Sequence, residues 1–287
     1  MDNFDIPILI ICFNRPDRTK YVFESVRQIK PNKLYVSFDG PRNNNDAILI
    51  KQDKQIFNDI DWKCEVHFLN SDVNKGAQIG VYEAINWLFE NEEVGIILED
   101  DIMPYQEFYP YCKELLEKYR DDKRIAGISG WSYFYKKLPE NYDYTYYFSH
   151  IQSSFGWATW KDRWQSMDIT LKNTDFRIIE QNLRNDKINE HTINYYRNIF
   201  WNDGILGTTW DYQFLFSCLM LPNRYFIQPI KRFVENIGYG TDSAHPTSVN
   251  LNMVEKIEKD FTFKHPKSFK YIPELDNERN KQTGEFF

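Results

Sequence analysis

Cysteine is scarce: four thiols in 287 residues, Cys12, Cys64, Cys112 and Cys218, none at metal-ligand spacing. A disulfide framework and a thiolate metal site are both excluded, and a core of this length needs neither. Buried free thiols fit a reducing cytoplasm. Basic charge is also short, the net charge being -7, so nucleic-acid binding through a broad basic surface is not expected. No apolar run reaches the length of a transmembrane helix. Ile6 to Phe13 is too short for a secretory leader, and Asp2 and Asp5 precede it where basic residues would stand. A cytoplasmic protein is therefore expected. Internal repeats and a clean linker are missing too, which leaves one large domain or two small ones open.

Apolar residues make up 42% of the chain and aromatics 17%, enough to fold. Rings crowd between Trp131 and Trp210, either lining a pocket or packing a core. Strand-like and helix-like segments alternate in the first half. Strands are predicted at Ile6–Phe13, Lys33–Phe38, Cys64–Leu69, Val94–Leu98 and Ile125–Ser129. Helices are predicted from Pro16, over Ala47–Phe57, along the Ala77–Leu88 face and around Phe108–Leu115. This order predicts a parallel sheet with helices on both faces. Beyond residue 130 an antiparallel strand within Tyr142–Phe148, helices over Phe176–Leu183, Ile188–Phe200 and Trp210–Met220, and an edge strand at Tyr225–Ile230 are expected. Gly238 to Ser248 reads as a loop able to act as a lid. Near the C-terminus Lys264, Lys267 and Lys270 interleave with Phe261, Phe263, Phe269 and Tyr271. That segment is either a solvated tail or a weak membrane-surface patch giving peripheral contact with the inner membrane face.

The run Val94-Gly95-Ile96-Ile97-Leu98 ends in Glu99-Asp100-Asp101. Unpaired carboxylates are costly inside a core, so the acids must emerge at the strand's C-terminal end. Ligands of open α/β sheets bind at that edge. Clustered acids there suit a hard divalent cation whose remaining positions are filled by phosphate and water. Asn14-Arg15 and Asp39 end two other strands and are expected on the same edge. A solvated acidic turn is the competing reading of the triplet.

These pieces, in this order, resemble the GT-A fold of nucleotide-sugar glycosyltransferases, most closely the inverting N-acetylglucosaminyltransferase I type; a broader group of bacterial sugar transferases is similar. The likeness runs from about residue 5 to about residue 250. It rests on Asn14-Arg15, Val36-Ser37-Phe38-Asp39, the acid triplet, Phe155-Gly156-Trp157, Trp210-Asp211 and the loop from Asn236 to His245. It implies a Rossmann-like, mostly parallel sheet flanked by helices. Residues 1–130 would form the nucleotide-sugar half, 131–250 the aromatic-rich acceptor-binding and catalytic half, and 251–287 a C-terminal extension. The implied activity is a metal-dependent inverting hexosyl or N-acetylhexosaminyl transfer in bacterial polysaccharide or glycolipid synthesis. The sugar would move from a UDP donor to a glycan or glycolipid hydroxyl.

The same likeness implies roles residue by residue. Asp101 would ligate Mn2+ or Mg2+, and Glu99 and Asp100 would orient ribose, sugar hydroxyls or metal-bound water. Arg15 would sit beside the diphosphate; a surface pair with Asp17 is its alternative. Asp39 would accept the uracil N–H, or be a turn residue before Gly40. Trp157 would pack on the donor sugar or in the core. His245 would meet phosphate or the metal, or lie free on the surface. Asp211 would be the general base, although an aspartate there also suits a helix start, and Asp203 is a rival base. Two other functions stay open. A sugar-nucleotide pyrophosphorylase usually carries a Gly-rich loop after its first strand, where Asn14-Arg15-Pro16 has none. A non-catalytic carbohydrate-binding protein is permitted by the aromatic content.

Overall fold

The computed structural model describes residues 4–132, 142–238, 255–259 and 261–277. Its strands are β1 (Ile8–Cys12), β2 (Lys33–Phe38), β3 (Glu65–Asn70), β4 (Val94–Glu99), β5 (Ile102–Pro104), β6 (Ile125–Ser129), β7 (Tyr146–Ser149), β8 (Trp157–Trp160), β9 (Tyr225–Pro229) and β10 (Val234–Asn236). Its helices are α1 (Pro16–Ile29), α2 (Asn44–Ile56), α3 (Gly76–Asn91), α4 (Phe108–Lys118), α5 (Lys161–Trp164), α6 (Phe176–Asn185), α7 (Glu190–Phe200), α8 (Asp203–Leu206) and α9 (Asp211–Leu219).

Eight strands form one sheet in the order β3-β2-β1-β4-β8-β6-β9-β7. The β3-β2-β1-β4 half is parallel, as the βαβ alternation requires. β8 runs antiparallel between β4 and β6, and β7 antiparallel outside β9. The β5–β10 pair forms a separate small ribbon. Buried strand runs of Ile, Leu and Val are continuous because helices cover both faces. Residues of α1, α2 and α4 pack with alternate strand positions on one face. Those of α3, α6, α7 and α9 pack on the other.

Most predicted elements are present, with shifted ends. Pro16 opens α1, where its missing N–H costs nothing. The second helix starts three residues before the expected Ala47 because Asn43 caps it, its side chain accepting the Asp46 N–H. Residues 225–229 do not form an edge strand. β9 is fully buried between β6 and β7, and Pro229 is tolerated because it is the last residue. Strands β5, β8 and β10 have three or four residues each, too short for their periodicity to be read.

The C-terminal segment is part of the core. Phe261, Phe263, Phe269 and Tyr271 pack against it, and Leu275 is fully buried. Phe263 stacks on Tyr111, and Phe269 lies against Phe148. The aromatic half of the expected membrane-surface patch is thus turned inward. Asp276 anchors the segment by accepting bonds from the Ser149 hydroxyl, the His150 N–H and the Tyr271 hydroxyl. Among the described residues no helix is long and apolar enough to cross a membrane.

Candidate functional site

β4 delivers the acid triplet to the C-terminal edge, and side-chain alternation divides it between the faces. Glu99 follows Ile97 onto the face packed by α3 and α9. Asp100 turns to the opposite side and is 5% exposed. Its Oδ2 accepts the Phe13 N–H at 2.8 Å, which ties the end of β4 to the end of β1. Arg15, on the same turn, reaches both neighbouring acids. Its Nη1 donates to Asp101 Oδ2 at 2.7 Å and lies 3.4 Å from Asp100 Oδ1. Asp17 is solvent-exposed and lies 4.0 Å from Arg18. The Arg15 guanidinium therefore belongs to the triplet, not to a surface pair with Asp17.

The electrostatics follow from burial without enough cation. Burial pushes the Glu99 carboxyl up to about 8, reinforced by Asp101, Asp100 and Asp211 and opposed by Arg15. Asp100 is pushed up to about 8, by burial first and Asp101 second, against Arg15 and the Phe13 N–H. That Asp211 acts on Glu99 brings the proposed base to the triplet across more than a hundred residues of chain. Asp211 is the first residue of α9 and Trp210 occupies the cap position, so Asp211 favours the helix dipole without capping it. Asp203 opens the four-residue α8.

The 236–238 segment returns to the same place. Asn236 pairs with Ile102, and the Ile237 N–H bonds to the Asp101 carbonyl at 2.8 Å. A Cβ on Gly238 would fall 2.0 Å from Asp101 Oδ2, so only glycine allows this approach. His245, expected further along this loop, lies outside the described residues.

Asp39 stands at the end of β2, but its own chain takes up its carboxylate. Oδ1 accepts the Gly40 and Lys75 N–H groups at 2.8 and 2.9 Å. Oδ2 accepts the Gly76 N–H and the Asn74 amide, both at 3.0 Å. The side chain fastens the 74–76 loop and the start of α3, the turn role that was the alternative to reading uracil. Trp157 also departs from its donor-sugar role. It is 1% exposed, stacks on Trp210 at 5.6 Å and touches Phe214 at 5.4 Å, so its ring lies in the core.

Among the described residues no group of three or more His, Cys, Asp or Glu side chains is arranged to hold a metal. The donor set does not suit an all-protein cage. Asp101, whose Oδ2 pairs with Arg15, would be the single carboxylate for a hard divalent cation, the other ligands having to come from outside the chain.

Sequence reasoning missed Asp46 and Asp53 of α2, which bond to Asn14 and Arg15. The signal was available: with Ile50 they form a buried stripe at helical spacing. It also missed Gln78 and Gln213, whose amides both donate to the Leu206 carbonyl and join α3 to α9 through α8.

No family model and no curated protein matches the chain. Solved structures do. TarS of S. aureus (residues 1–349) is 9% identical with a TM-score of 0.43, over 80% of this chain and 59% of that one. The 4-diphosphocytidyl-2C-methyl-D-erythritol synthase of Anaerococcus prevotii is 10% identical, with a TM-score of 0.35, over 56% of this chain and 71% of that one. A UDP-glucose pyrophosphorylase complexed with UDP-glucose is 9% identical, with a TM-score of 0.32, over 56% and 78%. The chain thus spans 59% of the length of the first of these.

Proposed function

We propose that the protein is an inverting glycosyltransferase that uses a divalent metal and moves a sugar from a nucleoside diphosphate, UDP, to a glycan or glycolipid hydroxyl. One observation carries the reading. The acid triplet, the Arg15 guanidinium, the Asp211 helix start and the 236–238 return all meet at one sheet edge. A leaving-group half and a base half are then side by side.

Asp101 would hold the metal, which when bound supplies positive charge to the departing diphosphate. Arg15 adds a second cation beside the phosphates, its planar fork suited to their oxygens. Asp211 takes the proton of the acceptor hydroxyl as that oxygen bonds to the anomeric carbon. The anomeric carbon–oxygen bond breaks on the opposite side, its electron pair leaving with the diphosphate, so configuration inverts. Glu99, on the α9 face between the two halves, orients sugar hydroxyls. Asp39 serves the nucleotide indirectly, through the 74–76 loop it shapes.

The test is release of UDP from a panel of UDP-sugars in Mn2+, with and without oligosaccharide acceptors. Asp211→Asn should bind UDP normally and lower turnover by about 10²-fold or more. Normal turnover removes the base assignment. Pyrophosphate release from a sugar phosphate and UTP, with no transfer activity, would replace this reading by nucleotidyl transfer.

A further inference from the structure

Two acids of one helix hold the turn that carries Arg15. Asp46 and Asp53 are seven residues apart, about two turns, so they share one face of α2. They are 2% and 0% exposed, in a stripe where a surface helix normally places apolar side chains. Each is committed to a different part of the same dipeptide. Asp46 Oδ1 accepts the Asn14 side-chain amide at 2.6 Å, while Arg42 Nε donates to its Oδ2 at 2.8 Å. Asp53 Oδ2 accepts the Arg15 backbone N–H at 3.1 Å. Its Oδ1 is buried with no hydrogen-bond partner among the described residues, although the Thr19 hydroxyl lies near the carboxylate, a costly arrangement if the residue only filled space.

The turn needs such support. Asn14 sits at φ 45, in the left-handed region where a side chain is strained. Arg15 makes no side-chain cap to α1, and among the described residues its guanidinium is held by Asp100 and Asp101 at its far end. A flexible arginine keeps that geometry only if its backbone is pinned as well. We propose that Asp46 and Asp53 are positioning residues that hold Asn14 and Arg15 so that the guanidinium stays beside the acid triplet.

Two readouts test this, and only the second rests on the glycosyltransferase reading. In the first, NMR follows the order of the Arg15 Nε–H group in the ligand-free protein. Asp53→Ala should turn a rigid Arg15 signal into a mobile one. Asp53→Asn, which keeps an oxygen for the Arg15 N–H, should restore most of the order. An Arg15 signal as rigid in Asp53→Ala as in the wild type overturns the proposal. In the second, calorimetry measures UDP binding in Mn2+. Asp53→Ala should weaken it about tenfold, the scale of lost supporting contacts. In an Arg15→Ala background the same change should have no further effect; independent, multiplying effects overturn the proposal. Wild-type protein that does not bind UDP removes the nucleotide reading, while the Arg15 signal still decides the positioning role. Should Asp53→Ala not fold, Asp46→Ala is read in the same way.

Discussion

Asp39→Asn separates a residue that reads a ligand from one that builds the site. The substitution keeps shape and removes charge, a mild change for a side chain facing a nucleotide base. Here both carboxylate oxygens face N–H donors of the chain itself. Whichever oxygen becomes the amide NH2 group, that group then opposes a backbone N–H. Rotation does not help, because the other side carries donors as well. At least two accepted bonds to a charged group are lost, each contributing roughly 1.5–3 kcal/mol. Partial access of water to Lys75 returns some of this, so the net cost is about 2–4 kcal/mol. With an unfolding entropy of about 2.1 cal/mol/K per residue, this chain should melt about 3–7 °C lower. Thermal unfolding by circular dichroism checks the value, and hydrogen exchange should show faster opening at Lys75 and Gly76. Asp39→Ala should cost a similar amount, since either change abolishes the same cradle. If Asp39→Asn melts within a degree of the wild type and instead loses affinity for uridine nucleotides, Asp39 reads the base directly and the reasoning fails.

Other perturbations address the remaining parts. Gly238→Ala places a Cβ 2.0 Å from Asp101 Oδ2, so either the acid leaves Arg15 or the 236–238 return shifts. Donor-dependent turnover should fall about 10²-fold, the usual effect of an ångström-scale misplacement, and unchanged turnover would contradict it. Asp276→Ala strands three donors, those of Ser149, His150 and Tyr271, but also removes a carboxyl that burial disfavours as an anion. A net loss of about 3 kcal/mol in denaturant titration is expected; under about 1 kcal/mol would show the C-terminal segment to be dispensable. Asp53 gives a pH signature. Burial pushes its carboxyl from 3.8 up to about 6, so between those values the folded chain binds the proton that the unfolded chain releases. Its contribution is full below about pH 4 and is lost as pH rises through 6, by about 3 kcal/mol. Asp53→Asn should therefore gain stability relative to the wild type over that window, and a constant difference from pH 4 to 7 would refute the assignment.

Much of this was legible because strands and helices announce themselves by period. The β4 run could not be solvated and unpaired carboxylates are costly in a core, so the acids were expected at the strand end; Asp100 stands there but is buried, held by the Phe13 N–H and Arg15. Arg15 and Asp39 followed from the same topology, each ending a parallel strand. Roles were harder to read than positions. Asp39 and Trp157 each had two readings, and the contacts that bear on them are non-local: donors of the 74–76 loop in one case, the rings of Trp210 and Phe214 in the other. The aromatic and basic pattern after residue 260 was misleading because alternation does not say which set faces inward. Phe263 and Phe269 found partners on α4 and β7, far away in sequence.

The sequence by itself determined the alternating architecture, the edge at which chemistry is possible and the set of charged residues delivered there. These depend on local period and on the cost of burying charge, both properties of short stretches of chain. The tertiary structure alone decided how the triplet is shared between the two faces. It also decided that Arg15 pairs with Asp100 and Asp101, that Asp211 bears on Glu99, and that Gly238 seats against Asp101. Those contacts join segments separated by 85 residues or more of chain. Their energies exist only once the sheet order has brought the strand ends together.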